Sequence, residues 1–132
     1  MDATEALASA LAEHVRPGDV VAVEGALGSG KTTFVRGLAA ALVGGDWVTS
    51  PTFTFRHRYA GAGRILEHLD LYRIDAPAEL AELGLEEAFG PGMVTAVEWP
   101  EKAPELVGRP RWRVVLTGSG DEPRTITIER LG

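Results

Sequence analysis

The sequence contains no cysteine, which excludes disulfides, thiolate zinc sites and cysteine nucleophiles together. Histidine is scarce as well. His14, His57 and His68 lie scattered along 132 residues, which argues against a metal centre built from imidazoles. Positive charge is in deficit, with 13 Lys and Arg against 19 Asp and Glu, a net charge of -6 at pH 7 and a pI ≈ 5.0. Such a surface lacks the clustered cations that neutralise nucleic-acid phosphates, so any nucleic-acid partner is expected to be met indirectly. No stretch approaches the roughly 20 apolar residues of a membrane-crossing helix. The opening "MDATEALASALAEHV" is acidic and amphipathic rather than a basic segment followed by an apolar run. The expectation is a soluble, cytoplasmic protein with no membrane partner. Repeats, low-complexity tracts and linkers are also missing, and 132 residues with 45% hydrophobic content suit a single domain, 1–132.

What is present alternates between helical and strand patterns. Leu7, Leu11 and Val15 recur every four residues beside Ala8 and Ala12, and Asp2 with Glu5 resembles a capping pair, so a first amphipathic helix is expected. "VVAVEG" (20–25) reads as a buried strand. From Lys31 to Val43, Phe34, Val35, Leu38, Ala39 and Leu42 keep helical spacing, and Gly44-Gly45 provide a stop. "TFTFRHRY" (52–59) alternates strictly, placing Phe53, Phe55, His57 and Tyr59 on one face; Gly61-Ala62-Gly63 then leads to "RILEHLDLY" (64–72), a β-hairpin pattern. Residues 76–89 read as helix broken at Gly84, "MVTAVEW" (93–99) as a second buried strand, and 111–130 as a closing hairpin with Trp112, Val114 and Leu116 facing Ile126 and Ile128. The sum is an α/β fold whose mixed central sheet is parallel in the middle and antiparallel toward at least one edge.

"EGALGSGKTTF" (24–34) joins the first strand to the second helix. Gly25-Ala26-Leu27-Gly28-Ser29-Gly30-Lys31-Thr32 fits G-x-x-x-x-G-K-[ST], the P-loop, and the strand before it and helix after it give the match its meaning. The glycines let successive N–H groups turn inward onto an anion, and the helix N-terminus adds its positive end. Lys31 is expected to reach the β- and γ-phosphates of ATP, and Thr32 to offer its hydroxyl to Mg²⁺. Thr33 follows as a first-turn residue of the phosphate site. The competing reading is a glycine-rich turn with an incidental Lys-Thr. The expected architecture is a P-loop NTPase-like three-layer fold with antiparallel hairpins.

A phosphate site of this kind also needs an acid at a neighbouring strand end to hold the metal, directly or through water. Asp70 in "HLDLY" and Glu98 closing "MVTAVEW" both qualify; Glu98 follows the cleaner apolar run, while Asp70 is the shorter carboxylate, and both are expected near the γ-phosphate. His68 shares a face with Asp70 and reads as a structural strand histidine. "TSPTF" (49–53) reads as a loop in which Ser50 and Thr52 present hydroxyls to Mg²⁺ or phosphate around a stiffening Pro51, although Ser and Thr beside proline also mark plain turns. Trp99 is either a stacking or partner-contact residue or a core aromatic. No arginine is assignable as a finger in cis: Arg36 lies on the P-loop helix and Arg73 follows the hairpin strand.

Taken in order, "GALGSGKTTF", "SPTF", "HLDLYRI" and "VEWPEK" resemble the TsaE (YjeE) family of bacterial tRNA-modification ATPases, from about Val20 to Lys102; only the general strand pattern matches over the final hairpin. The resemblance implies an ATPase that hydrolyses ATP slowly and acts with TsaB and TsaD, which place a threonylcarbamoyl group on adenosine 37 of tRNA, so that tRNA is met through the complex. By motif it implies phosphate and Mg²⁺ roles for Lys31 and Thr32, a switch-like loop at Ser50 and Thr52, a Walker-B-like Asp70, and a second acidic motif at Glu98 with Trp99. Partner binding is expected to order "TSPTF" or complete the site. A small-molecule P-loop kinase is the alternative, though such enzymes usually carry an arginine-bearing lid and this chain has no Arg-rich lid segment.

Overall fold

The computed structural model describes residues 3–44, 48–53, 55–75, 84–118 and 123–132, with the backbone path alone for 48–53. Strands β1 (Val20–Gly25), β2 (Val48–Phe53), β3 (Arg56–Gly61), β4 (Arg64–Asp70), β5 (Val94–Glu98), β6 (Trp112–Thr117) and β7 (Thr125–Arg130) form one sheet in the order β2-β3-β4-β5-β1-β6-β7. The middle of the sheet, β4-β5-β1-β6, is parallel, and β2-β3, β3-β4 and β6-β7 pair antiparallel. Both flanks are therefore antiparallel, as the closing and internal hairpins require.

The apolar runs earn the central places. All five residues of β5 are buried, and Val21, Ala22 and Val23 of β1 are buried beside them, the near-continuous hydrophobicity of strands covered on both faces. Alternation divides the side chains between two layers. Val21, Val23, Leu66, Val94 and Ala96 pack with helices α1 (Ala3–Ala12) and α2 (Lys31–Val43), whereas Leu69, Leu71 and Val97 pack with Leu85, Ala88, Ala103 and Val107. The second layer is made of short pieces: a 3₁₀ turn at Leu85–Ala88, another at Pro100–Lys102, and α3 (Pro104–Val107). In the first layer, a Cβ on Gly37 would stand 3.2 Å from the Ala8 Cβ, so glycine in mid-helix lets α1 and α2 cross closely.

Some elements differ from the pattern reading. Leu7 is 37% exposed; α1 turns Ala8, Leu11 and Ala12 inward instead, with the small Ala8 at the close crossing. Asp2 of the expected capping pair lies outside the described residues, as does Gly45; Gly44 ends α2 with φ 82 and its N–H on the Ala40 carbonyl. The stretch 52–59 is not one strand. Phe53 ends β2 and pairs directly with Arg56 at the start of β3, so the chain reverses inside the alternating run. The turn from β3 to β4 holds Ala62 and Gly63 at φ 53 and 74, the doubly positive form that matches strand twist in two-residue hairpins. Of the helix expected at 76–89, residues 76–83 lie outside the described residues, Gly84 has φ 62, and Leu85–Ala88 form only a 3₁₀ turn. The closing hairpin matches its expected pairs, Val114 with Ile128 and Leu116 with Ile126.

The interior also holds an ion cluster. Glu67 is fully buried and accepts from Arg56 Nε and Nη2 at 3.2 and 3.3 Å and from Arg58 Nε at 2.6 Å. A carboxylate taken out of water is tolerable only with such saturation of its lone pairs.

Candidate functional site: the phosphate-loop cleft

β1 ends at Gly25 and α2 begins at Lys31, with Gly28 and Gly30 at φ 80 and 100 between them. Only glycine fits at the start of the loop: a Cβ on Gly25, whose φ is 155, would fall 2.6 Å from both the Leu116 carbonyl oxygen and Ser29 Oγ. Gly30 caps α2 with no side-chain hydrogen bond, so the first N–H groups of a 13-residue helix meet no capping side chain. Together with the helix dipole they form an anion-receptive end. Ser29 is buried, and its Oγ has no hydrogen-bond partner among the described residues. Leu27, at the crest of the loop, is 65% exposed.

Lys31 lies folded back along this loop. Its Nζ donates to the carbonyls of Gly25 at 2.6 Å and Ala26 at 2.9 Å and sits 4.3 Å from the centre of the Trp99 ring. Burial pushes the Lys31 pKa down, partly offset by the charges of Glu98, Asp70 and Glu101. An ammonium held in this way gains from the arrival of anionic oxygens, because they restore the charge balance that burial removes.

The two candidate acids are neighbours, Asp70 opposite Glu98 in the β4-β5 register, at the same end of the sheet as the loop. Their settings differ. Glu98 is 3% exposed and accepts from Thr32 Oγ1, at 2.9 Å to Oε2 and 3.2 Å to Oε1. Asp70 stands one strand farther from β1, faces the cleft, and accepts the Tyr72 N–H at 3.1 Å. Glu98 is the acid joined to the loop threonine, because β5 is the strand next to β1. Among the described residues no three His, Cys, Asp or Glu side chains stand close enough to hold a metal by themselves. The donor set of a hydroxyl and two carboxylates instead fits Mg²⁺ shared with phosphate oxygens, the usual arrangement for that ion.

Trp99 follows Glu98 with φ 60 and ψ 50, a left-handed conformation that non-glycine residues seldom adopt. Its ring meets Tyr72 at 5.1 Å and covers Lys31, so the strained backbone places an aromatic wall on the cleft. The cleft has a volume of ≈ 420 Å³ and is lined by Leu27, Gly28, Gly30, Lys31, Thr32 and Thr33 from the loop and helix, with Asp70, Tyr72, Glu98 and Trp99 opposite and Arg124 at the side. Gly25, Ala26 and Ser29 shape the loop from behind through backbone contacts.

The segment of Ser50 and Thr52 takes a different form from the expected loop. Their segment is the edge strand β2 rather than a loop, with a register irregularity between Pro51 and Phe53; an edge is where a sheet tolerates proline. Their side chains lie outside the described residues. Two residues beyond the expected set join the site. His68, buried at 4% exposure, places Nε2 2.6 Å from Glu98 Oε2 while its Nδ1 has no partner among the described residues. Arg124 donates from Nη1 to the Ser29 carbonyl at 3.0 Å. Both partners are remote in sequence, so spacing carries no signal for either contact.

A parallel-centred sheet with a glycine loop between its central strand and a helix, a lysine and threonine at the helix start, and an acid on the adjacent strand define a P-loop NTPase-like fold. The family described as threonylcarbamoyl adenosine biosynthesis protein TsaE matches residues 1–126. A Bacillus subtilis (strain 168) protein named tRNA threonylcarbamoyladenosine biosynthesis protein TsaE is 40% identical over 129 residues, 98% of this chain and 80% of its own. The protein of the same name from Rickettsia conorii is 36% identical, covering 95% of this chain and 71% of the relative. The crystal structure of Bacillus subtilis YdiB superposes with a TM-score of 0.75 at 37% identity, over 98% of this chain and 79% of that one. The chain belongs to the TsaE family. No helix among the described residues is long and apolar enough to cross a membrane.

Proposed function

We propose that this protein is a cytoplasmic, Mg²⁺-dependent ATPase subunit in the formation of N6-threonylcarbamoyladenosine in tRNA, working with TsaB- and TsaD-like partners that themselves hold the tRNA. The names of its relatives support the pathway. The single observation that supports the ATPase chemistry is the Thr32 hydroxyl donating to buried Glu98 beside Lys31 at the mouth of the glycine loop. Thr32 keeps its proton on Glu98, which leaves oxygen lone pairs for a cation, and Asp70 offers a second carboxylate nearby. Lys31 and the first N–H groups of α2 would take the phosphates, with Lys31 exchanging the Gly25 and Ala26 carbonyls for phosphate oxygens. Thr32, with Glu98 and Asp70 directly or through water, would hold Mg²⁺, which would supply charge neutralisation across the phosphates. Glu98 or Asp70 orients the attacking water, and Trp99 and Tyr72 limit access of bulk water to it.

The test is ATP turnover with Mg²⁺ by wild type and Lys31→Ala, with and without TsaB- and TsaD-like proteins. Weak hydrolysis alone that rises with the partners and disappears in the variant supports the reading. Partners that neither bind nor change the rate remove its functional content, and appearance of a phosphorylated small molecule would replace it with a kinase.

A further inference from the structure

We infer that Arg124 is a contact residue for the nucleoside end of the bound nucleotide, gripping the α-phosphate and ribose side of ADP and ATP alike; this rests on the nucleotide reading above. The sheet order places the acids of β4 and β5 on one side of β1 and the β6-β7 hairpin on the other. A nucleotide laid along the loop with its metal-binding end toward Asp70 and Glu98 extends its remaining length toward β6 and β7. Arg124, immediately before β7, stands there and lines the same cleft as Lys31 and Thr32.

The guanidinium touches the loop through Nη1. Besides the 3.0 Å bond to the Ser29 carbonyl, its Nη1 would be 3.2 Å from any Cβ on Gly30, so the absence of a side chain at Gly30 makes the approach possible. That bond uses one of five donors on a neutral acceptor. Arg56, Arg58 and Arg113 spend theirs on carboxylates, Glu67 or Glu24, whereas no carboxylate among the described residues pairs with Arg124. A planar cation with open donors beside an anion-receptive loop suits phosphate oxygens. The cleft is consequently polarised, acidic toward β5 and cationic toward β7.

Calorimetric titration of Mg-ADP and Mg-ATP into wild type, Arg124→Gln and Arg124→Lys tests this. Gln can still donate to the Ser29 carbonyl but carries no charge. The expected result is a loss of about tenfold in affinity, equal for ADP and ATP, in Arg124→Gln with the ligand-free melting temperature unchanged. Unchanged affinity, or a loss confined to ATP, overturns the assignment. If Arg124→Gln melts early, Arg124→Lys decides: wild-type melting with weakened ADP binding upholds the contact, and full recovery of both reduces Arg124 to a loop brace. A wild type that binds neither nucleotide sinks the nucleotide reading itself, and this inference with it.

Discussion

Glu98→Gln is the substitution on which the site depends most. The carboxylate is buried at 3% exposure and receives Thr32 Oγ1 at 2.9 and 3.2 Å and His68 Nε2 at 2.6 Å. Glutamine keeps the shape and has one carbonyl oxygen, so it can satisfy Thr32 or His68 but turns its amide toward the other. Two charge-assisted bonds are then replaced by neutral ones and one of the two must reverse its sense, at a cost of about 1–2 kcal/mol. For a domain of this size that lowers the melting temperature by roughly 3–8 °C. On the proposed mechanism ATP hydrolysis should fall about a hundredfold or more, since the carboxylate that holds the loop threonine is gone. Asp70→Asn should melt closer to wild type, because its one side-chain hydrogen bond among the described residues lies at the surface, to the Tyr72 N–H. The assays are differential scanning calorimetry and phosphate release under saturating Mg-ATP. A Glu98→Gln protein that melts at the wild-type temperature and turns over at the wild-type rate would refute this reasoning.

Other expectations follow from single contacts. Glu67→Ala strands Arg56, which is 7% exposed, without its buried partner; urea titration should show a loss of about 3 kcal/mol, and a loss below about 1 kcal/mol would mean that the cluster is solvated. Gly25→Ala drives a Cβ to 2.6 Å from the Leu116 carbonyl oxygen and must displace the loop, so ATP affinity measured by calorimetry should fall about tenfold or more; wild-type affinity would show the loop to be compliant. Because the Lys31 pKa is lowered, ATP affinity should begin to fall as pH rises at values below the ordinary 10.5, and the fall should vanish in Lys31→Arg. The sign for stability is opposite: the folded state holds this proton less tightly than the unfolded chain, so the Lys31 contribution to ligand-free stability improves with pH between its lowered value and 10.5.

The loop, its flanking strand and its helix were legible because each rests on local spacing: three glycines, an apolar run, and a 3.6-residue repeat. Buried strands β1 and β5 announced themselves by continuous hydrophobicity. Alternation failed at 52–59 because a period of two persists through a tight reversal, so Phe53 and Arg56 can face one another across a turn as easily as follow one another along a strand. Leu7 misled because α1 crosses α2 at Ala8, which meets Gly37, and that rotation buries Leu11 and Ala12 while leaving Leu7 at the rim of the face. That Glu98 rather than Asp70 meets Thr32 depends on which strand adjoins β1, a fact of topology rather than of spacing. His68 and Arg124 enter the site through contacts 30 and 95 residues apart in sequence, beyond any local pattern.

The most direct measurement is the yield of threonylcarbamoyladenosine on tRNA in a reconstituted reaction containing the TsaB- and TsaD-like partners and the threonylcarbamoyl-adenylate donor, with this protein, its Lys31→Ala variant, or neither. Multiple-turnover modification with wild type, and a yield with Lys31→Ala no higher than without the protein, is the predicted result. Equal yields from wild type and Lys31→Ala would contradict it, separating the phosphate loop from the pathway to which its relatives belong.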